Sequence, residues 1–228
     1  TLTGVGFRLG FVVIQTAGDI SNFFSNIWPI SFFSFEDLRL FFSLVLIAIS
    51  CIIMGAGIPT TATYIILVAV AAPALAQLGI EPLVAHFFVF YYGVLADITP
   101  PVALAAYAAS GIAKSNPFKT GNTAFRLGIA KALVPFVFVY SPSILLITGE
   151  FQTNELILTL TGTLIGIALI GIAFSGYWFR PLKKYEQFVI GSGSLFFVAP
   201  GTGSMIIGLL IILPMFFLQF YKRLTPRP

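Results

Sequence analysis

Residues 54–64 read MGAGIPTTATY and sit within one of the most hydrophobic parts of the chain. About fifteen mostly apolar residues precede them and a similar run follows. Two glycines, a proline and three threonines interrupt a segment that is otherwise suited to lipid. Backbone that leaves a helix needs partners for its N–H and C=O groups, and hydrocarbon supplies none. The stretch therefore predicts a turn buried in protein rather than a loop in lipid.

The rest of the chain agrees with a membrane setting. Of its 228 residues 58% are hydrophobic, the mean hydropathy is +1.00, and only 9% are charged. Soluble domains carry about 25% charged residues. The net charge of +4 calls for no nucleic acid, because the basic residues are scattered beside apolar runs. One cysteine, Cys51, excludes an internal disulfide, and one histidine, His86, speaks against a transition-metal site. No Ser/His/Asp set and no pair of buried carboxylates points to an enzyme. The chain starts at Thr1 and is expected to be a piece of a longer polypeptide.

A span needs roughly 20 apolar residues. Residues 4–17 read as the end of a spanning helix, and 18–39, with Trp28 and several phenylalanines, as interfacial. Residues 40–78 are apolar and broken at 55–61; 79–82 (GIEP) is a turn; 84–113 is apolar and broken at 96–101 (ADITPP). KSNPFKTGN (114–122) reads as a loop, 124–148 as a helix containing Pro135 and Pro142, and 149–155 as an acidic loop. Residues 156–179 form a plain span, 180–187 are basic, and 194–220 hold a last helix before a basic tail.

Charge orients these segments. Lys114, Lys119 and Arg126 cluster at one loop, and Arg180, Lys183 and Lys184 two crossings later, while Glu150 and Glu155 lie between. The positive-inside rule makes 114–126 and 180–186 cytoplasmic and 149–155 external. Counting back, both ends of 40–78 fall outside, flanked by Asp19, Glu36, Asp37 and Arg39 upstream, which predicts a re-entrant hairpin. The same count leaves Lys222, Arg223 and Arg227 outside, against the rule.

The two breaks have similar chemistry. Gly55 and Gly57 let a ligand approach the backbone. Pro59, Pro100 and Pro101 stop one helix and start the next. A helix ended in mid-membrane exposes carbonyls, and one begun there exposes N–H groups. Carbonyls with Thr60, Thr61 and Thr99 suit a hard cation such as Na⁺, and N–H groups with hydroxyls suit a carboxylate. Each break alone reads equally as a packing kink. Asp97 is an ionisable residue inside an apolar run, expensive there and functional by default. It could coordinate a cation, carry a proton, or cap the half-helix after it. His86, Tyr91, Tyr92 and Tyr107 read as packing, and Lys131 as snorkelling to the surface. These features favour a secondary transporter; the alternative is a non-transporting membrane scaffold whose breaks are only structural.

GAGIPTTATYIILVAVAAPAL (55–75), FVFYYGVLADITPPVALAAYAASGIA (88–113) and KTGNTAFRLGIAKALVPFVFVYSPSILL (119–146), in that order, resemble the DctM-like large membrane subunit of tripartite ATP-independent periplasmic (TRAP) transporters. The nearest type is the fused permease that works with a TAXI-type binding protein. The likeness runs over residues 1–148. It implies an all-α membrane protein, half of an elevator-type secondary transporter, with a re-entrant helical hairpin and a discontinuous helix. Residues 1–148 would be the second inverted repeat (hairpin 40–78, broken helix 84–113, helix 124–148), and 149–228 C-terminal transmembrane helices. It implies an ion and substrate half-site at Gly55, Ala56, Gly57, Ile58, Pro59, Thr60, Thr61, Ala96, Asp97, Thr99 and Pro100, with Na⁺ at Gly55, Gly57, Thr60, Asp97 and Thr99. It further implies Na⁺ or H⁺ as coupling ion and no other cofactor, organic anions as cargo, and a bacterial inner-membrane location. The implied partners are a periplasmic binding protein, a small membrane subunit and the missing N-terminal half of the permease.

Overall fold

A computed structural model describes residues 4–27, 34–146, 152–199 and 201–224. Among them the chain is helical, apart from one isolated bridge between Tyr177 and Pro181. It forms two compact units, Thr1–Asn122 and Thr123–Pro228. Five helical stretches are long and apolar enough to cross a bilayer: Phe35–Gly55, Thr60–Gln77, Pro117–Tyr140, Thr153–Ser175 and Thr202–Tyr221. The chain is a multi-pass membrane protein.

The first unit holds α1 (Val5–Ile27), α2 (Phe35–Gly55), α3 (Thr60–Gln77), α4 (Pro82–Leu95) and α5 (Leu104–Ile112). Each of the central helices buries one stripe at helical spacing: Leu44, Ile47, Cys51 and Gly55 on α2, and Thr63, Leu67, Ala71 and Leu75 on α3. On α4 the stripe is Val84 and Ala85, Phe88, Tyr92 and Leu95. These faces meet, because α2, α3 and α4 all pack on one another and α1 lies along α2 and α3. The α1–α3 approach is close: a Cβ at Gly10 would stand 2.8 Å from the Ala74 Cβ.

Two helix boundaries at the start of the first unit differ from the sequence reading. Helix α1 continues to Ile27, so residues 18–27 are helix rather than an interfacial loop. Helix α2 starts at Phe35, not 40, because Ser34 and Asp37 form a capping box: the Asp37 N–H donates to Ser34 Oγ at 3.1 Å, and the Ser34 N–H to Asp37 Oδ2 at 3.2 Å. Glu36, Asp37 and Arg39 thus belong to a first helical turn. Trp28, read as interfacial, lies outside the described residues.

Helix α6 (Pro117–Gly128) runs across the boundary between units and replaces the expected loop at 114–122. Its start signal is local: Asn116 Oδ1 accepts the Lys119 N–H at 3.0 Å, and proline follows the cap. The expected helix over 124–148 is divided by its prolines. A 3₁₀ turn, Ile129–Leu133, leads into α7 (Val134–Tyr140), and Pro142 opens another, Pro142–Leu145.

The second unit ends in α8 (Thr153–Ser175), α9 (Lys184–Val198) and α10 (Thr202–Leu224). The expected single helix at 194–220 is two helices, parted after Val198 and resumed at Thr202. Glycine allows their tight packing. A Cβ at Gly162 would lie 2.6 Å from the Phe197 carbonyl, and one at Gly166 2.6 Å from Val198 Cγ2. This is the small-xxx-small logic of membrane helix pairs. Glu186, in the first turn of α9, and Gln219, near the end of α10, are fully buried, and Gln219 Nε2 donates to Glu186 Oε2 at 2.9 Å. Helix α10 therefore ends at the same end of this unit as the basic 180–186 turn. The extra helix removes the conflict that a single last helix creates for the basic tail. Glu150 and Arg227, and the side chains of Lys222 and Arg223, lie outside the described residues.

Candidate functional site

Ala56, Gly57, Ile58 and Pro59 link α2 to α3. The turn is possible because Gly57 takes φ +83°, where a side chain is strained. The Ala56 N–H donates to Ile53 O and the Ile58 N–H to Gly55 O, each at 3.4 Å. Pro59 is the N-cap of α3, and its carbonyl accepts the Thr63 N–H at 2.9 Å. Thr63 Oγ1 donates to Ile58 O at 3.0 Å, which closes the turn from inside.

The second break follows α4. A 3₁₀ turn, Ala96–Ile98, extends the helix, and Thr99 holds it: its N–H donates to Ala96 O at 3.1 Å and its Oγ1 to Leu95 O at 2.8 Å. The Pro100–Pro101 bond is cis. Ala103, buried with φ 37°, turns the chain into α5, and Tyr107 on that helix donates its hydroxyl to Pro101 O at 2.8 Å.

The two breaks touch. A Cβ at Gly55 would lie 3.1 Å from Ala96 Cβ, 3.0 Å from Thr63 Cγ2 and 3.4 Å from the Gly93 carbonyl. A Cβ at Gly57 would meet Val102 Cγ1 at 3.6 Å. Gly55 ends α2, and Gly93 and Ala96 lie at the end of α4, so two helix C-termini lie side by side. Both present partial negative charge there. Asp97 adds a half-buried carboxylate at the same pole, and no ion pair or side-chain hydrogen bond engages it among the described residues.

Several expected site residues take different places. Thr60 and Thr61 are exposed in the first turn of α3. Thr63 is the buried threonine against Gly55 and Gly93, one helical turn further along the same face. Asp97 does not cap α5. That helix begins at Leu104 with Ala103 as N-cap and no side-chain cap bond, because Thr99 to Val102 intervene. Pro100 and Pro101 likewise precede α5 rather than start it. Tyr107, read as packing, braces the break. His86 is bound: Tyr64 Oη and His86 Nδ1 are 2.8 Å apart and tie α3 to α4.

No group of three or more His, Cys, Asp or Glu side chains gathers among the described residues. Among the described residues, the oxygens near the apposed breaks are backbone carbonyls, the Thr63 and Thr99 hydroxyls and the Asp97 carboxylate. That donor set is hard, oxygen-only and singly charged. It fits an alkali ion better than a transition metal.

A helical protein with several apolar spans and two non-helical turns in contact is a polytopic membrane protein. Residues 1–153 match the family described as tripartite ATP-independent periplasmic transporter, DctM component, and the chain belongs to that family. Its members are transporter permeases, and both breaks lie inside the matched region. No curated protein and no solved structure matches the chain.

Proposed function

We propose that this chain carries one half of the transport site of a Na⁺-driven permease that imports an organic anion. The observation that carries this reading is the contact of Gly55 with Gly93 and Ala96. Two negative helix ends and the Asp97 carboxylate gather here against the single positive end of α3, a pole that attracts a cation. A Na⁺ bound by carbonyls near Gly55, Ala56, Gly57 and Ala96, with Thr99 and Asp97, would offset it. The opposite poles, at the N-terminal ends of α3 and α5, are suited to a carboxylate, with Thr60 and Thr61 as exposed donors beside Ile58 and Pro59.

Geometry supports a re-entrant hairpin. Helix α4 has 14 residues, so it rises ~21 Å from the turn that it shares with α3, short of the ~30 Å hydrocarbon core. The hairpin tip packs against its end and so lies below the far surface. In this reading the hairpin and the discontinuous helix α4–α5 belong to an elevator-type repeat. Its counterpart comes from the N-terminal half of the permease. A periplasmic binding protein of the TAXI type delivers cargo, and a small membrane subunit completes the assembly in the bacterial inner membrane. Residues 114–126, 180–186 and the tail are cytoplasmic.

One observation favours a purely structural role for the breaks: the Thr63 and Thr99 hydroxyls already donate to backbone carbonyls inside them. Counterflow by the complete permease in proteoliposomes separates the readings. Asp97→Asn removes the charge and keeps the shape. We expect the Na⁺ concentration for half-maximal uptake to rise at least about tenfold, the equivalent of ~1.4 kcal/mol, with the yield of folded protein unchanged. Unaltered uptake and unaltered Na⁺ dependence would leave the scaffold reading.

A further inference from the structure

We propose that the α8–α9 end of the second unit is a binding surface for the phosphate of an anionic phospholipid. Apart from Arg126, the surface lies outside the residues matched to the family, which end at 153. It is built on a rigid turn. The Leu182 N–H donates to Gly176 O at 2.7 Å, the Trp178 N–H donates to Arg180 O at 3.2 Å, and Tyr177 bridges to Pro181. Gln187 Nε2 donates to Leu182 O at 3.3 Å and sits where a Gly176 side chain would be.

Four cations gather on this turn. Arg126 reaches the end of α8, where its guanidinium donates to Phe174 O at 2.9 Å, and Arg180, Lys183 and Lys184 follow in the turn itself. The only acid between residues 156 and 228 is Glu186. It is fully buried and is taken by Arg180, whose Nη2 lies 2.6 Å from Glu186 Oε1. Four positive charges against one negative leave a surplus of three. Among the described residues, no salt bridge engages the side chains of Arg126, Lys183 or Lys184, although the Lys183 backbone N–H donates to Glu186.

The surroundings of these cations select a lipid over a soluble anion. Tyr177, Tyr185 and Phe188 are exposed around them, and Trp178 and Phe179 stack on each other above Phe216 and Phe220 of α10. An aromatic collar at helix ends marks the headgroup level of a bilayer. A phosphate held by Lys183, Lys184 and Arg126 would have its acyl chains laid along these rings and the apolar helices. A soluble phosphate gains nothing from that collar. Arg180 is not part of the lipid contact; its pairing with Glu186 holds the turn that presents the lysines.

Trp178 reports on the site. It is one of only two tryptophans, so Trp28→Phe leaves it as the single reporter in the full chain. The measurement is quenching of Trp178 fluorescence in vesicles of brominated phosphatidylglycerol and plain phosphatidylcholine in equal parts, and in the reverse pairing. We expect the phosphatidylglycerol to be preferred by about fivefold or more, the worth of at least one surface cation. The preference should vanish in R126Q/K183Q/K184Q, which spares the Glu186 network, and should survive Lys183→Arg. It should also fall with added salt in the unsubstituted protein, a result that does not depend on the triple variant folding. Equal quenching by the two lipids, a preference that survives the triple substitution, or one indifferent to salt would each overturn the assignment. Transport through the first unit is not read, so failure here leaves the permease reading standing.

Discussion

The two units use small and polar residues for opposite ends. In the first, Gly55, Gly57 and Gly93 lie at or beside unwound backbone, and a lone carboxylate, Asp97, stays half-exposed and unpaired. In the second, Gly162, Gly166, Gly193 and Gly208 lie inside regular helices and bring them together, while the buried carboxylate, Glu186, is fully engaged. Glu186 Oε2 also accepts the Lys183 N–H at 2.8 Å. An unpaired carboxylate in a membrane protein is expensive and points to a ligand, whereas one with both oxygens engaged, as in Glu186, points to a fastening, even though Arg180 Nε and Gln219 Oε1 in that network stay without a partner.

The largest effect is expected at that fastening. Glu186→Ala leaves the partly exposed Arg180 guanidinium and the buried Gln219 amide without their acceptor, a loss below the ~3–5 kcal/mol of a fully buried broken pair because water reaches Arg180. Thermal unfolding in detergent, followed by Trp178 emission, should show the destabilisation, and Na⁺ binding at the first unit should be unchanged in the protein that remains folded. If stability is unaffected, the network is not what holds α10 to the turn.

Packing at the breaks comes next. Gly55→Leu forces a side chain into Thr63 and Ala96, both within 3.1 Å of the first added carbon. Overpacking costs about 1–3 kcal/mol, and here it would also part the two helix ends, so uptake should fall further than stability does. A variant that transports normally would show that the contact is dispensable.

Acid should act on the second unit. Burial pushes the Glu186 carboxyl up, but the Lys183 N–H, the Arg180 guanidinium and the Tyr185 hydroxyl outweigh it and hold the group below the usual glutamate range. Its contribution is therefore present above the unfolded value of about 4.3 and is lost as pH falls through the lower folded value. A melting-temperature series into that acid range should show a fall that Glu186→Gln flattens. The smallest effect is expected at Thr61→Ala. This exposed residue should add little to stability, within about 0.5 kcal/mol, and its loss should raise the substrate KM while Na⁺ dependence stays as it was.

Much of the first unit was legible from local chemistry. Gly57 and Pro59 stop and restart a helix whatever surrounds them, so the break expected at 55–61 was legible from residue type, although it is narrower, with Thr60 and Thr61 already in α3. Helix starts at Ser34 and Asn116 were equally local, but their signals lie in polar stretches that hydropathy passes over. Helix α9 was hidden for another reason. Its segment KYEQFVIGSGSLFFV mixes charge, glycine and serine, and it becomes a stable helix because Gly193 and Ser194 are buried against neighbours.

The sequence by itself determined a membrane-spanning helical chain, its family, its two unwound segments and the single acid within them. Those features follow from composition, from backbone rules for glycine and proline, and from ordered motifs, all of which act over a few residues. Only the tertiary structure decided that Thr63 rather than Thr60 or Thr61 faces Gly55, that two helix C-termini meet at Gly55 and Ala96, and that Glu186 reaches Gln219. These depend on the rotation of one helix against another. Spacing within a helix settles which residues share a face, but which face meets which is chosen by the packing of the whole unit.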